Sequence, residues 1–328
     1  SLNRVRFTNL SAGQWLNAPV DLIGQGAGKP VKVAVRGGSL DLRRAEFGPS
    51  QGGSAGPPMQ ITLDRLQITD TIALTGLTGT FDTRRGLDGA FQAQLNGQTP
   101  VSGRVVPQNG RSAVRMTAQD AGGVLRSAGL LKQVTGGTLG LTLLPVGSGG
   151  AFDGELTMGG IRIKQAPGIA ALLNAVSVVG LINELNGDGI YFDKVEGRFR
   201  LTPDSLTLTE GSAVGASMGL SMDGVYALNS GLLNMQGTIT PVYLLNGIGS
   251  VLTRKGEGLF GFHYTLKGQA KDPSVSVNPL SALTPGMFRE IFRAPKPELP
   301  AVEGNTQSIL PAKPAGAEKR VVPKYDGR

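Results

Sequence analysis

Apolar and polar residues alternate along most of the chain with a period of two. Val31/Val33/Val35, Leu40/Leu42, Ile61/Leu63, Ile72/Leu74, Leu139/Leu141/Leu143, Leu206/Leu208, Met218/Leu220/Met222 and Phe260/Phe262/Tyr264/Leu266 each place apolar side chains on one face and mainly polar or very small ones on the other. That period belongs to a strand with one buried face, so these runs predict half-buried antiparallel strands. Turn signals separate them at the spacing of a meander: Thr83-Arg84-Arg85-Gly86, Leu95-Asn96-Gly97, Asn186-Gly187-Asp188-Gly189, Thr202-Pro203-Asp204-Ser205 and Asn229-Ser230-Gly231. The expected fold class is mainly β: an elongated, curved antiparallel β-sheet, a half-pipe or groove, with a few short amphipathic helices.

Within the meander an apolar-x-Gly-x-apolar pattern recurs. It reads Leu77-x-Gly79-x-Phe81, Leu87-x-Gly89-x-Phe91, Val101-x-Gly103-x-Val105, Phe152-x-Gly154-x-Leu156, Val195-x-Gly197-x-Phe199, Met222-x-Gly224-x-Tyr226 and Met235-x-Gly237-x-Ile239, with Leu266-x-Gly268-x-Ala270 as a weaker copy. Asp88-Gly89, Asp153-Gly154 and Asp223-Gly224 would signal hairpins in isolation. Several copies nonetheless sit a few residues from a better turn. Glycine inside a strand marks a bulge, a bend or a close backbone approach, and repeated bends curve a sheet. The plainer alternative is loop glycine.

Three segments break the period of two. Residues 121–134, 166–185 and 241–252 read as helices, the last with Pro241 in its first turn. The second and third share Leu172-Leu173-Asn174 and Leu244-Leu245-Asn246, a short match of the kind a duplicated helix-then-strands unit leaves. Residues 165–183 carry no charge but include Gln165, Pro167, Asn174, Ser177 and Asn183. An amphipathic helix that packs on the sheet or lies in a bilayer interface is therefore expected there, ahead of a spanning one. Residues 49–58 read as a flexible loop. From 296 onward Pro is mixed with Lys, Glu and Ala without apolar periodicity, so the chain divides into one module over 1–293 and a disordered tail over 294–328.

Composition narrows the classes. Fifty Gly in 328 residues is about twice the average of ~7%, which excludes a helical bundle. No Gly-x-y period is present, so collagen is excluded, and 40% apolar residues are too many for a disordered chain. With no Cys and a single His263, disulfides, thiolate chemistry and histidine metal clusters are excluded, and neither a metal site nor a cofactor is expected. The net charge of +8 is spread along the chain without a basic block or interleaved aromatics. Nucleic acid is accordingly not an expected partner, whereas an anionic membrane surface is. The chain starts at Ser1 with no apolar leader or long hydrophobic anchor, and reads as an excised or processed part of something larger.

Catalytic constellations are sparse. Gly215-Ala216-Ser217-Met218-Gly219 fits the G-x-S-x-G pattern, but that chemistry needs a strained strand-to-helix turn and a histidine base. Here the pentapeptide runs into the strand pattern Leu220-Ser221-Met222, and His263 falls on the polar face of another strand. Asp188, Asp193 and Glu196 read as turn and solvent-face residues. No phosphate-cradle or calcium-loop motif has the required context. The expectation is a protein that is not an enzyme and whose working surface is apolar. That surface either packs under helices 166–185 and 241–252 or a second sheet, or lines an open trough that receives lipid chains. Burying a lipid chain is worth about 0.8 kcal/mol per CH₂.

Residues 206–292 add a family resemblance. They contain Gly211-Ser212-Ala213-Val214-Gly215, Met222-Asp223-Gly224-Val225-Tyr226, Gly237-Thr238-Ile239-Thr240-Pro241-Val242-Tyr243-Leu244-Leu245-Asn246 and Gly256-Glu257-Gly258-Leu259-Phe260-Gly261-Phe262. Pro273-Ser274-Val275-Ser276-Val277-Asn278-Pro279-Leu280-Ser281-Ala282-Leu283-Thr284-Pro285-Gly286 follows, then Phe288-Arg289 and Ile291-Phe292. This resembles the C-terminal region of the bacterial AsmA-like envelope proteins, most closely the YhdP-like branch and more distantly TamB. The resemblance implies a Gram-negative periplasmic location, an inner-membrane anchor N-terminal to this chain, and a β half-pipe that moves phospholipid between inner and outer membranes. It supplies no catalytic motif. Phe260, Phe262 and Tyr264 are the candidate groove-lining residues. Leu172, Leu173, Val176, Leu244, Leu245 and Ile248 are candidates for helices that close the groove's end or touch a bilayer. The alternative is an envelope assembly module that binds proteins, such as outer-membrane proteins, through exposed strand edges.

Overall fold

A computed structural model describes residues 3–13, 15–44, 56–84, 86–108, 111–147, 150–241, 261–283 and 295–300. Eighteen strands join one sheet. It begins with β1 (Arg4–Ala12), β2 (Leu16–Ile23), β3 (Lys32–Arg36), β4 (Ser39–Asp41), β5 (Met59–Gln67) and β6 (Ala73–Asp82). β7 (Asp88–Leu95), β8 (Thr99–Gln108) and β9 (Arg111–Ala118) follow, then helix α1 (Ala121–Ser127), β10 (Val134–Thr135), β11 (Thr138–Val146) and β12 (Ala151–Ile163). Helices α2 (Pro167–Ala175) and α3 (Val179–Asn186) lead to β13 (Ile190–Leu201), β14 (Ser205–Val214), β15 (Met218–Ala227) and β16 (Leu232–Pro241). β17 (Phe262–Gln269), β18 (Asp272–Asn278) and a 3-10 turn over Pro279–Leu283 complete the order.

The sheet is a meander, as the alternation predicts. From β5 to β9, and from β11 to β18, each strand pairs antiparallel with the next, and β9 pairs with β11 across the α1 excursion. β3 and β4 are two halves of one kinked strand. Both pair antiparallel with β2 and parallel with β5. The kink is Gly37-Gly38, with φ of 95° and 81°. At Gly38 a Cβ would also stand 2.3 Å from the Asn17 carbonyl oxygen, so only glycine fits there. A second pair, Gly136-Gly137, divides β10 from β11 in the same way, with φ of 70° and 78°.

Among the described residues no pairing joins β1 to β18, so the sheet is open. Its curvature shows at α2. A flat sheet would put β18 about 24 Å from β13, beyond the ~14 Å length of a nine-residue helix. Yet α2, which connects β12 to β13, packs against β18, and its first turn lies against Pro273. The sheet therefore curls around α2.

The helices depart from expectation in length and continuity. α1 stops at Ser127, capped at its start by the Asp120 carboxylate accepting from Gly123 N–H at 2.8 Å. The segment expected as one helix over 166–185 is two, because Ser177 adopts a left-handed φ of 56° between them. Pro241 does not open a helix. It ends β16, opposite Met218, where a proline at a strand terminus removes little of the ladder. The rest of 242–252 lies outside the described residues. Within the expected tail, residues 295–300 carry no regular secondary structure, and the Pro300 carbonyl accepts from Arg200 Nη1 at 3.2 Å.

Candidate functional site

Following the pairing from strand to strand resolves one face of the sheet into rows. One row reads Val5, Leu22, Val33, Met59, Phe81, Gly89, Val105 and Val114, then Leu143, Gly154, Phe199, Leu208, Gly224, Met235, Leu266 and Val275. Its neighbour reads Phe7, Val20, Val35, Ile61, Gly79, Phe91, Gly103 and Met116, then Leu141, Leu156, Gly197, Gly211, Met222, Gly237, Tyr264 and Val277. Every position in both is apolar or glycine. At ~4.8 Å per strand, the fifteen steps of each row trace about 70 Å. The opposite face is polar along the same path: Arg36, Thr62, Thr78, Gln92, Ser102 and Thr117, then Gly140, Thr157, Glu196, Ser212, Ser221, Thr238, His263 and Asn278.

The recurrent motif glycines all lie on the apolar face, and most stay in regular register instead of forming bulges. Space accounts for several of them, whereas Gly268 has open space around it and a left-handed φ of 95°. A Cβ on Gly103 would fall 2.1 to 2.7 Å from atoms of the Phe91 ring, and one on Gly154 would fall 2.3 to 2.8 Å from the Phe199 ring. Gly89 meets Phe81 at 2.5 Å and Gly224 meets the Met235 sulfur at 2.7 Å in the same construction. Each of these four glycines is thus a seat over which a large side chain from the paired strand lies. Among the described residues, register slips at Phe7/Leu10, Thr75/Thr78, Arg198/Phe199 and Leu208/Gly211 supply the irregularities.

The apolar face is not equally open along its length. Tyr264 is fully buried: its ring spans Gly237 and its hydroxyl donates to the Ser221 carbonyl at 2.8 Å. Leu266 is buried and Phe262 half-buried, while Phe260 lies outside the described residues. Tyr264 is therefore core and not an open groove wall. Leu172 and Leu173 of α2 are buried and Val176 packs against the same core. Leu172 and Leu173 are thus core, while Val176 is half-buried; Leu244, Leu245 and Ile248 lie outside the described residues. No helix among the described residues is long and apolar enough to cross a membrane. Toward the other end the face opens: Val33, Val35, Met59 and Ile61 are half-buried, and Phe7 and Leu10 of β1 are 41% and 38% exposed.

The polar face shows matched charges more than reactive ones. Ser217 sits in the β14–β15 hairpin, its hydroxyl donating to Glu184 Oε1 at 2.9 Å, and the strand-to-helix turn of a nucleophile is absent. His263 falls in the polar row of β17 as expected, with its N–H donating to Ser281 Oγ at 2.8 Å. A shallow depression of about 350 Å³ over β12–β15 is lined by Glu155, Glu196, Arg198 and Glu210. Arg198 lies 3.0 Å from Glu155 and 3.9 Å from Glu210, and Lys194 lies 3.1 Å from Glu196, so these carboxylates serve ion pairs. Nearer the turn margin, Arg200 grips Asp153 with two bonds of 2.8 and 3.2 Å in a pair that is almost wholly buried.

At the other end of this face stands a cluster that the sequence reading passed over. Asp21 on β2 is buried and accepts from Arg4 and Arg6 of β1, while Arg36 of β3 pairs with its Oδ2 at 2.7 Å. The Arg4 and Arg6 guanidiniums hold its carboxyl far below the ordinary value of 3.8, against an opposing effect of burial. Alternation carried a signal: Arg4-Val5-Arg6 and Val20-Asp21-Leu22 interleave charge with apolar residues. No family model, no curated protein and no solved structure matches this chain.

Proposed function

We propose that this chain is a non-enzymatic lipid-binding and transfer module that conducts phospholipid acyl chains along its apolar sheet face. The reading rests on one observation: two unbroken rows of apolar or glycine residues, each about 70 Å long at ~4.8 Å per strand, back to back with a polar row. A sandwich or barrel would consume such a face against a second layer. Here the β1–β5 section retains half-buried and exposed apolar side chains. For a lipid chain of sixteen carbons, leaving a bilayer for water costs about 13 kcal/mol, and a continuous apolar face offsets most of that at every step. The likeness of residues 206–292 to AsmA-like envelope proteins gives the setting: the periplasm of a Gram-negative bacterium, between inner and outer membranes.

The lipid path is placed on the β1–β5 stretch of these rows, where apolar side chains are half-buried or exposed, and not at Tyr264 on β17, which is buried. Photo-crosslinking amino acids at Val35 and Ile61 should form phospholipid adducts in cells, while Thr62, one residue along β5 on the polar face, should form none. Protein adducts alone at Val35 and Ile61 would sink the lipid reading in favour of an assembly role.

A further inference from the structure

We propose that Arg4, Arg6 and Arg36, gathered on the polar face by Asp21, form a binding site for a phosphate-class oxyanion. The pairing of β1–β2–β3 sets the geometry. Arg6 stands directly opposite Asp21, and Arg4 and Arg36 reach it from neighbouring rows. Asp21 is 1% exposed, with Arg6 Nε donating to Oδ1 at 3.0 Å, Arg36 Nε lying 2.7 Å from Oδ2, and Arg4 Nη2 also on Oδ2. A structural role would need one guanidinium to neutralise one carboxylate. Three are present, which leaves a surplus of two positive charges around a buried anchor.

Arg6 and Arg36 are held through Nε, which leaves the terminal nitrogens of each guanidinium outside that contact. The three arginine side chains remain 43%, 59% and 55% exposed. Among the described residues no second carboxylate pairs with them; the nearby Asp64 of β5 accepts the Gly38 N–H at 2.7 Å. Guanidinium forks match the oxygens of a phosphate in pairs, and pre-positioned forks lose less freedom on binding than mobile ones. An incoming oxyanion would also relieve the repulsion among three like charges held together. The site stands on this geometry; only the assignment of the phosphate to a lipid headgroup rests on the lipid reading above.

The test uses the full chain and two probes: inorganic phosphate, and phosphatidylcholine vesicles with or without phosphatidylglycerol. A headgroup site binds the phosphatidylglycerol vesicles well above phosphatidylcholine alone, with an affinity that falls as salt rises. Arg36→Gln leaves Asp21 two guanidiniums and should weaken that binding about tenfold, whereas Arg104→Gln, an equal loss of charge on β8, should not. Calorimetric binding of inorganic phosphate, lost in Arg36→Gln but with no preference for anionic vesicles, assigns the site to a soluble phosphate. If neither probe binds, or if Arg104→Gln loses as much as Arg36→Gln, the site does not exist. Intact anion binding with no lipid adducts at Val35 and Ile61 would overturn the lipid conduit and leave this site standing.

Discussion

A methyl group on Gly103 would occupy the space of the Phe91 ring, so that ring would have to tilt off the sheet into a packed face. Overpacking of this kind typically costs about 1–3 kcal/mol. Gly103→Ala should lower stability by that amount in urea unfolding. In the background of Phe91→Leu, whose smaller side chain needs no flat seat, the same substitution should cost clearly less. Purely additive effects would mean that Gly103 serves backbone conformation instead of the ring. This is where sequence reading reached its limit. The apolar-x-Gly-x-apolar spacing located these glycines inside strands, even where Asp-Gly suggested a turn. It left bulge, bend and close approach open, because the choice depends on which residue of the neighbouring strand faces each glycine. Asp21 fell to the same limit: its three arginines come from β1 and β3, and only the register shows that they meet.

Elements were legible where the apolar period ran long. Leu139/Leu141/Leu143 and Met218/Leu220/Met222 lie on the face their alternation predicts, in β11 and β15. Helix continuity was not legible, since nothing local in Val176-Ser177-Val178 announces the left-handed turn that divides α2 from α3. The placement of segment 295–300 was likewise beyond reach, as its partner Arg200 is 100 residues from Pro300 in sequence. That contact adds a third ligand to a guanidinium already held twice by Asp153, in a pair whose members are 5% and 0% exposed. Removing one partner of a buried pair strands the other charge, at about 3–5 kcal/mol. Arg200→Gln should therefore destabilise the protein by that order in thermal or urea unfolding. Replacing both residues, Asp153→Leu with Arg200→Met, should recover most of the loss. A double variant no better than the single would show that the pair contributes more than mutual neutralisation.

In a meander this long, the substantial contacts of each strand are with its immediate neighbours, and α2 ties only the β13–β18 end together. Stability should therefore vary along the sheet and not be shared evenly, with the β1–β3 end able to open while the rest stays folded. Asp21 makes that end sensitive to acid. Its folded-state carboxyl is held far below 3.8 by the Arg4 and Arg6 guanidiniums, so its contribution is complete above the unfolded value and lost as pH falls toward the folded one. Below about pH 4 the unfolded state begins to bind a proton that the folded site still refuses, so the stability Asp21 gives this end drains away as pH falls. Hydrogen exchange should then show β1–β3 amides losing protection while those of β13 and β18, which α3 and α2 contact, retain theirs. Asp21→Asn should place β1–β3 in the weakened state already at neutral pH and remove the further change on acidification. Protection lost in step across all the strands would mean that the sheet unfolds as one unit, and that α2 and α3 set no boundary within it.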